Sequence, residues 1–403
     1  MATLARSQVV RAAAAVVCLV ACKSDRQSDP MPEPPAPVVR DAAVPVDAAG
    51  VWPELADYPV IVRPERTITL PARPDVPRFE VGGPVLAGDL AIVASSQFGF
   101  IAVDWRRGAI AWTKPSGTHV APPVVRAQDA VLVGECVNAP AIGDRERLLG
   151  CVRVVTFAGA DQANLAIRGN AKATAAFAAE AGTQDVWLEG EQAIRWRRGD
   201  QAVVVDLLTG VAKPAPASPP PLVVTYKDHR WEIVQDEGRV VAREHGKIAW
   251  QTEHPYTALL GTVWLPEQSP MLRIANLGAW RDAPEIHLLD IDATGSLHAQ
   301  AAKPSPGIQL LGWGVSPIGD AAIAIRLDTS LRRDFIAGYA ANAPLVWIYP
   351  LPEVMRPDPV GVAVAPDGVV VFHDGDTLTI LPELSAAPTS PGAPGRPSKI
   401  PTP

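Results

Sequence analysis

Through the middle of this chain apolar residues fall in short runs broken by polar turn residues. From Gly83 it reads GPVLAGDLAIVASSQFGFIAVDWRRGAIAWTK. Leu90–Ser95, Gly99–Asp104 and Ala109–Lys114 are β-rich runs separated by Gly, Asp and Ser, which predicts consecutive antiparallel strands. A unit this short cannot bury its apolar face alone, so neighbouring copies are expected to stack on it.

Copies are present. Ala102, Asp104, Gly108 and Trp112 form the pattern A-x-D-x-x-x-G-x-x-x-W. Asp104 closes a strand and can accept hydrogen bonds from the turn backbone. Gly108 supplies the positive φ that a tight hairpin loop requires. Trp112 offers a large flat surface to an adjacent sheet. VVAREHGKIAW keeps Gly246 and Trp250, with Ala242 at the aspartate spacing. AGYAANAPLVW keeps Trp347, with Tyr339 and Ala343 for Asp and Gly. VVVDLLTGVAK keeps Asp206 and Gly210 but has Pro214 where tryptophan would fall, and LLDIDATGSLH, around Asp290 and Gly295, carries a one-residue insertion. The tryptophans at 112, 250 and 347 lie 138 and 97 residues apart. Those spacings are three and two units of roughly 46 to 49 residues, the size of a four-stranded propeller blade.

The repeat resembles that of the PQQ-like (quinoprotein-type) β-propellers, most clearly over residues 84–112. That family includes quinoprotein dehydrogenases and non-enzymatic outer-membrane assembly lipoproteins. The resemblance implies an all-β fold. Dividing the region by its period gives a single propeller of about seven four-stranded blades, with six and eight as the neighbouring solutions. Two unrelated β-sandwiches would leave the long period unexplained. The last unit, VGVAVAPDGVVVFHDGDTLTILP, looks more like a general PDG propeller hairpin. Residues 171–181, AKATAAFAAEA, interrupt the pattern as either a short inserted helix or a poorly conforming strand.

The ends read differently. Residues 1–21 have a basic start (Arg6, Arg11) and an apolar run, 12–20, too short to span a bilayer, which is the layout of a secretory signal. Leu19-Val20-Ala21-Cys22 resembles a bacterial lipobox. The resemblance implies that Cys22 is acylated and becomes N-terminal, anchoring the chain to a membrane at about 0.8 kcal/mol per buried methylene. Lys23 follows it, and the aspartate associated with inner-membrane retention is absent, so a bacterial outer membrane is expected. Residues 22–50 read as a proline- and alanine-rich tether and 386–403 as a proline-rich disordered tail, which leaves 51–385 for the propeller.

The remaining chemistry is sparse. A net charge of −7 excludes a basic nucleic-acid surface. With Cys18 in the signal and Cys22 acylated, Cys136 and Cys151 remain. In an oxidising compartment they read as a disulfide, worth roughly 3 kcal/mol for a loop of that length. Two free thiols or half of a metal site are the other readings, and no nearby His or Cys supports a metal. There is no G-x-S-x-G, H-E-x-x-H, C-x-x-C or glycine-rich phosphate loop. His373-Asp374-Gly375-Asp376 reads as a solvated turn before it reads as a cation site, and Glu285 and His287, between Asp282 and Asp290, as strand-edge residues. WRRG occurs at 105–108 and 196–199 in different registers. The expectation is a membrane-anchored periplasmic or surface scaffold without catalysis or cofactor, binding an envelope protein or peptide. The alternative is a PQQ- and Ca²⁺-binding oxidoreductase, whose family members carry an adjacent-cysteine disulfide that this chain lacks.

Overall fold

The computed structural model describes residues 39–40, 61–71 and 83–384, with short gaps at 118, 139–142, 181–182, 227, 237–238, 253–257, 264–270, 281–282, 293, 300–304, 307–308, 329–332, 342–344 and 352–359. The signal, Cys22 and the tail therefore lie outside the described residues, as does the tether apart from 39–40.

Among the described residues, seven antiparallel strand sets follow one another along the chain as a β-propeller. Blade 1 is Val85–Ala87, Leu90–Ser95, Gly99–Asp104 and Ala109–Lys114, so its three long strands have the boundaries that the sequence predicts. Blade 2 runs from Val124–Val125 to Asp161–Asn170, blade 3 from Gln184–Leu188 to Val211–Ala215, and blade 4 from Leu222–Tyr226 to Lys247–Gln251. Blade 5 runs from Ala258–Val263 to Leu297–Ala299, and blade 6 from Gln309–Val315 to Leu345–Pro350. Blade 7 takes Gly361–Val364, Val370–Asp374 and Thr377–Leu381 from the C-terminal end and Arg66–Thr69 from before blade 1. That pairing, Arg66↔Ile380 to Thr69↔Thr377, ties the two ends of the described chain into one sheet. Closure of this kind joins the last blade to the first and leaves only short, protected edges.

First strands touch first strands around the ring. Val85–Ala87 meets Val124–Val125 and Gly361–Val364, and Gln309–Val315 meets Gly361–Val364 and Ala258–Val263. They therefore line the centre. The apolar core lies between blades as separate clusters. Ile92, Ala102 and Trp112 of blade 1 pack with Ala130, Leu132 and Val155 of blade 2. Further clusters join blades 2 and 3, 4 and 5, 6 and 7, and 7 and 1. Each strand alternates its side chains between two neighbours, which is why these strands read as apolar on both faces.

Blades 2 and 3 are also joined along their outer strands, where Arg168↔Val211 and Gly169↔Ala212 pair in parallel. Between them the interrupting segment forms a helix of 5 residues, Ala175–Ala179. Its one large apolar residue, Phe177, meets Trp196 edge-on with ring centroids 4.9 Å apart. So short a helix has little stability of its own and depends on that anchor.

Candidate functional site

The repeat motif is a clasp between blades. Trp112 stands on the outer strand of blade 1 opposite Ala102, reached through a bulge in which Ala111 has no partner. Its indole lies over the turn of blade 2, where a Cβ on Gly159 would sit 2.9 Å from the ring, and its N–H donates to the Phe157 carbonyl at 3.1 Å. Trp250 repeats this on the turn of blade 5, 2.8 Å from where Gly295 would carry a Cβ. Both turn glycines have positive φ, so the positions combine a backbone need with a close approach. Trp347 is fully buried opposite Gly338 and packs in the cluster that holds Leu381 and Leu384.

Strand register corrects the alignment by spacing. Ala242 pairs with Trp250, as Ala102 does with Trp112, so Ala242 matches Ala102 and not Asp104. The difference is loop length. Glu244 and Lys247 flank a two-residue turn in which His245 and Gly246 have φ of 48° and 76°, whereas Asp104 and Ala109 flank four residues. Tyr339 pairs with Leu345 across the bulge and therefore matches Val103, and Ala343 lies outside the described residues. Asp104 and Asp206 do cap their turns: Asp104 accepts the Arg107 amide, and Asp206 those of Leu208 and Thr209, at 2.9 Å each. In blade 5 Asp292, not Asp290, takes that role, accepting the Thr294 amide at 2.8 Å.

Blade 3 departs from the pattern. Pro214 pairs with Val203, which faces blade 2, so the position opposite Val204 on the face toward blade 4 belongs to Lys213. The outer strand, Val211–Ala215, has no bulge and no tryptophan. Correspondingly, a Cβ on Gly246 of blade 4 would meet nothing within 4 Å. Other described junctions are covered by different means. Arg66 lies 3.1 Å from the Cβ position of Gly108 and donates to the Trp105 and Arg106 carbonyls, and the Ala166 carbonyl presses on Gly210. The buried Arg273 of blade 5 donates to the Gly319 and Ala341 carbonyls in blade 6. Among the described residues, no apolar cluster joins blades 3 and 4.

A cavity of about 750 Å³ occupies that junction. Trp187 of blade 3, Leu222 of blade 4 and the exposed Trp313 of blade 6 all line it, and all three stand on first strands, so it reaches the centre of the ring. Its volume lies within the range of small-molecule sites. One register row explains its polarity. Trp187, Arg195, Val204 and Lys213 run across blade 3 where blade 1 has Val85, Ile92, Ala102 and Trp112. Arg195 is buried, and it donates to Glu189 Oε1 at 2.7 Å and to the Ser218 carbonyl at 2.8 Å. Arg197 is held by Asp185 and lies over Trp187, 5.3 Å from the ring centroid. Arg243 and Asp236 of blade 4 line the same cavity. A Ca²⁺-bound quinone does not suit this donor set, since calcium takes six to eight oxygen ligands and Asp236 is the one carboxylate among the lining side chains.

The other sequence candidates lie elsewhere. Cys136 and Cys151 form a disulfide with Cα atoms 5.0 Å apart, tying the segment just after the strand Asp129–Gly134 to that strand's partner, Glu146–Thr156. His373 is buried, so the turn reading does not extend to it, and burial pushes its pKa down to about 4. Asp374 pairs with Thr377 around a two-residue turn. Among the described residues no group of three His, Cys, Asp or Glu is placed to hold a metal. Glu285, His287 and Asp290 stand on the strand Ala283–Ile291, and Asp282 lies outside the described residues. The two WRRG segments fall on the outer turn of blade 1 and on the second strand of blade 3. Trp187, Trp313, Arg243 and Asp236 were not indicated by any motif. The available signal was the break at Pro214 followed by the proline run 219–221, which enters blade 4.

No protein-family model and no curated protein matches the chain. Solved structures similar to it include Kluyveromyces lactis Hsv2, at 8% identity and TM-score 0.41, covering 72% of this chain and 87% of that one. BamB from Moraxella catarrhalis is similar at 11% identity and TM-score 0.36, over 85% and 97% of the two chains. The computationally designed Ika8 protein matches at 9% identity and TM-score 0.41, over 76% and 97%.

Proposed function

We propose that this protein is a lipid-anchored scaffold of the bacterial envelope whose propeller binds a protein or peptide partner and carries out no catalysis. The observation that carries the binding half is the junction between blades 3 and 4. It is a cavity lined by two tryptophans and three arginines at a seam where other described seams are clasped. Aromatic and arginine side chains are the groups that concentrate binding energy in protein recognition. The anchoring half rests on the lipobox-like 19–22 and the proline-rich segment that follows it. The repeat spacing supports membership of the PQQ-like propellers, in the non-enzymatic lipoprotein class.

Two measurements test the halves separately. Metabolic labelling with radioactive palmitate should mark the protein and spare Cys22→Ala, and equal labelling of both would remove the anchor. For binding, cross-linking in intact envelopes should trap a partner with the parent protein and lose it with Ser218→Trp, which places an indole at the cavity. Retention of the same partner by Ser218→Trp would move the binding site elsewhere.

A further inference from the structure

The cavity has a charge at each end and apolar surface between them. On the face of blade 4 toward blade 3, Arg243 stands opposite Glu232, followed along that strand by Val234 and Asp236. Positions 232 and 236 are separated by four residues of strand, about 13 Å. Arg195 and Arg197 are already neutralised by Glu189 and Asp185. Arg243 makes no hydrogen bond or ion pair among the described residues, because Arg230 takes the neighbouring Glu232 carboxylate at 3.0 Å. Asp236, at the other end of the row and opposite Arg239, also makes no hydrogen bond or ion pair among the described residues. Val234 lies between the two, and Trp187 and the prolines 219–221 also line the cavity.

We propose that this cavity holds an extended peptide segment of a partner protein, with a carboxylate side chain at Arg243 and a cationic side chain at Asp236. An extended chain advances about 3.3 Å per residue and returns its side chains to the same face at every second position. An acidic and a basic residue four positions apart therefore match the two charges. Small apolar or proline residues between them match Val234, the tryptophans and the proline run. A guanidinium prefers a carboxylate that it can bond in a forked geometry, which assigns the acidic end to Arg243. The inference rests on the reading of this cavity as a peptide site and adds the sequence class that it selects.

The test is calorimetric titration of the full-length protein in detergent micelles with blocked Ac-Glu-Val-Pro-Val-Lys-NH2. Its neutral analogue has Gln at both ends, and a free-ended Val-Val-Pro-Val carries its charges on the termini instead. The charged blocked peptide should bind about tenfold or more tighter than the neutral one. Arg243→Gln should erase the preference for Glu, Arg243→Lys should keep part of it, and Asp236→Asn should erase the preference for Lys. Melting temperatures of these variants should stay with the parent, since neither side chain has a partner to lose. Equal binding of charged and neutral peptides would overturn the charge assignment while leaving the cavity a peptide site. Binding of the free-ended peptide alone would overturn the internal-segment assignment. No heat from any of the three would overturn the inference altogether, while cross-linking with Ser218→Trp judges the site reading independently.

Discussion

The seam between blades 1 and 2 and the seam between blades 3 and 4 are built on corresponding rows of four paired residues and differ in all four side chains and in the bulge that blade 3 lacks. At the first, Val85, Ile92, Ala102 and Trp112 form an apolar row that ends in an indole lying on Gly159. At the second, Trp187, Arg195, Val204 and Lys213 occupy the same row, and Gly246 beyond it is uncovered. The first row is closed by an apolar cluster, and the second encloses a cavity of about 750 Å³. Backbone hydrogen bonds hold each blade together in either case. A propeller can therefore leave one seam open without losing a strand, provided that the other seams hold the ring.

Breaking the closed seam has the largest expected effect. Trp112 is nine-tenths buried and its N–H is bonded, so Trp112→Ala should cost about 3–5 kcal/mol, read as a fall in the urea midpoint. A loss below about 1 kcal/mol would mean that the seam does not depend on the indole.

The seam between blades 7 and 1 offers a third case, in which acid acts in place of truncation. His373 is buried on blade 7 with its ring 6.3 Å from that of Phe98 in the blade 1 hairpin. Burial favours the neutral imidazole and pushes its pKa down to about 4, against about 6.5 in an unfolded chain. Between those values the unfolded state binds more protons. The contribution is thus complete above about pH 6.5 and is lost as pH falls toward 4, for a total of about 3 kcal/mol. Urea midpoints measured from pH 7.5 to 4.5 should fall more steeply for the parent than for His373→Gln. Parallel slopes would show that another group carries the acid sensitivity.

The contrast between seams was partly legible in the sequence. Strand boundaries in blade 1 were readable because its apolar runs end at Gly, Asp and Ser. The disulfide followed from the cysteine count together with the expectation of an oxidising compartment. The missing tryptophan in blade 3 was also visible, but spacing assigned its place to Pro214, and pairing assigns it to Lys213. A motif counted in residues assumes constant loop length, and loops here hold four residues after Asp104 but two after Glu244. The cavity residues were less accessible still. Trp187, Arg243 and Trp313 belong to three blades, and only closure of the ring brings them to one space.

The turn glycines sharpen the comparison with smaller effects. Gly159→Ala meets the Trp112 ring at 2.9 Å and has a φ of 87°, so left-handed strain adds to a steric clash. Gly246→Ala has a φ of 76° and open space, so strain alone remains, about 1–2 kcal/mol. The first variant should lose about twice as much stability as the second. Adding Trp112→Ala to Gly159→Ala should relieve the clash, giving a combined cost below the sum of the two. Additive costs would mean that the glycine and the indole do not touch.

The smallest expected change in stability comes from closing the open seam. Lys213 is exposed and stands opposite Val204, the position that Trp112 holds opposite Ala102. Val204→Ala with Lys213→Trp should therefore lay an indole toward Gly246, whose surroundings are empty. The covered apolar surface is worth about 1 kcal/mol after the loss of two valine methylene equivalents. Blade 3 lacks the bulge that brings Trp112 to its turn, so the graft should fit less closely than the original. Peptide binding should respond more than stability does, because the indole competes for the cavity that Trp187 and Arg243 line. A double variant that gains stability and loses the peptide would show that the open seam is the binding site. One that gains stability and keeps full affinity would separate the cavity from recognition.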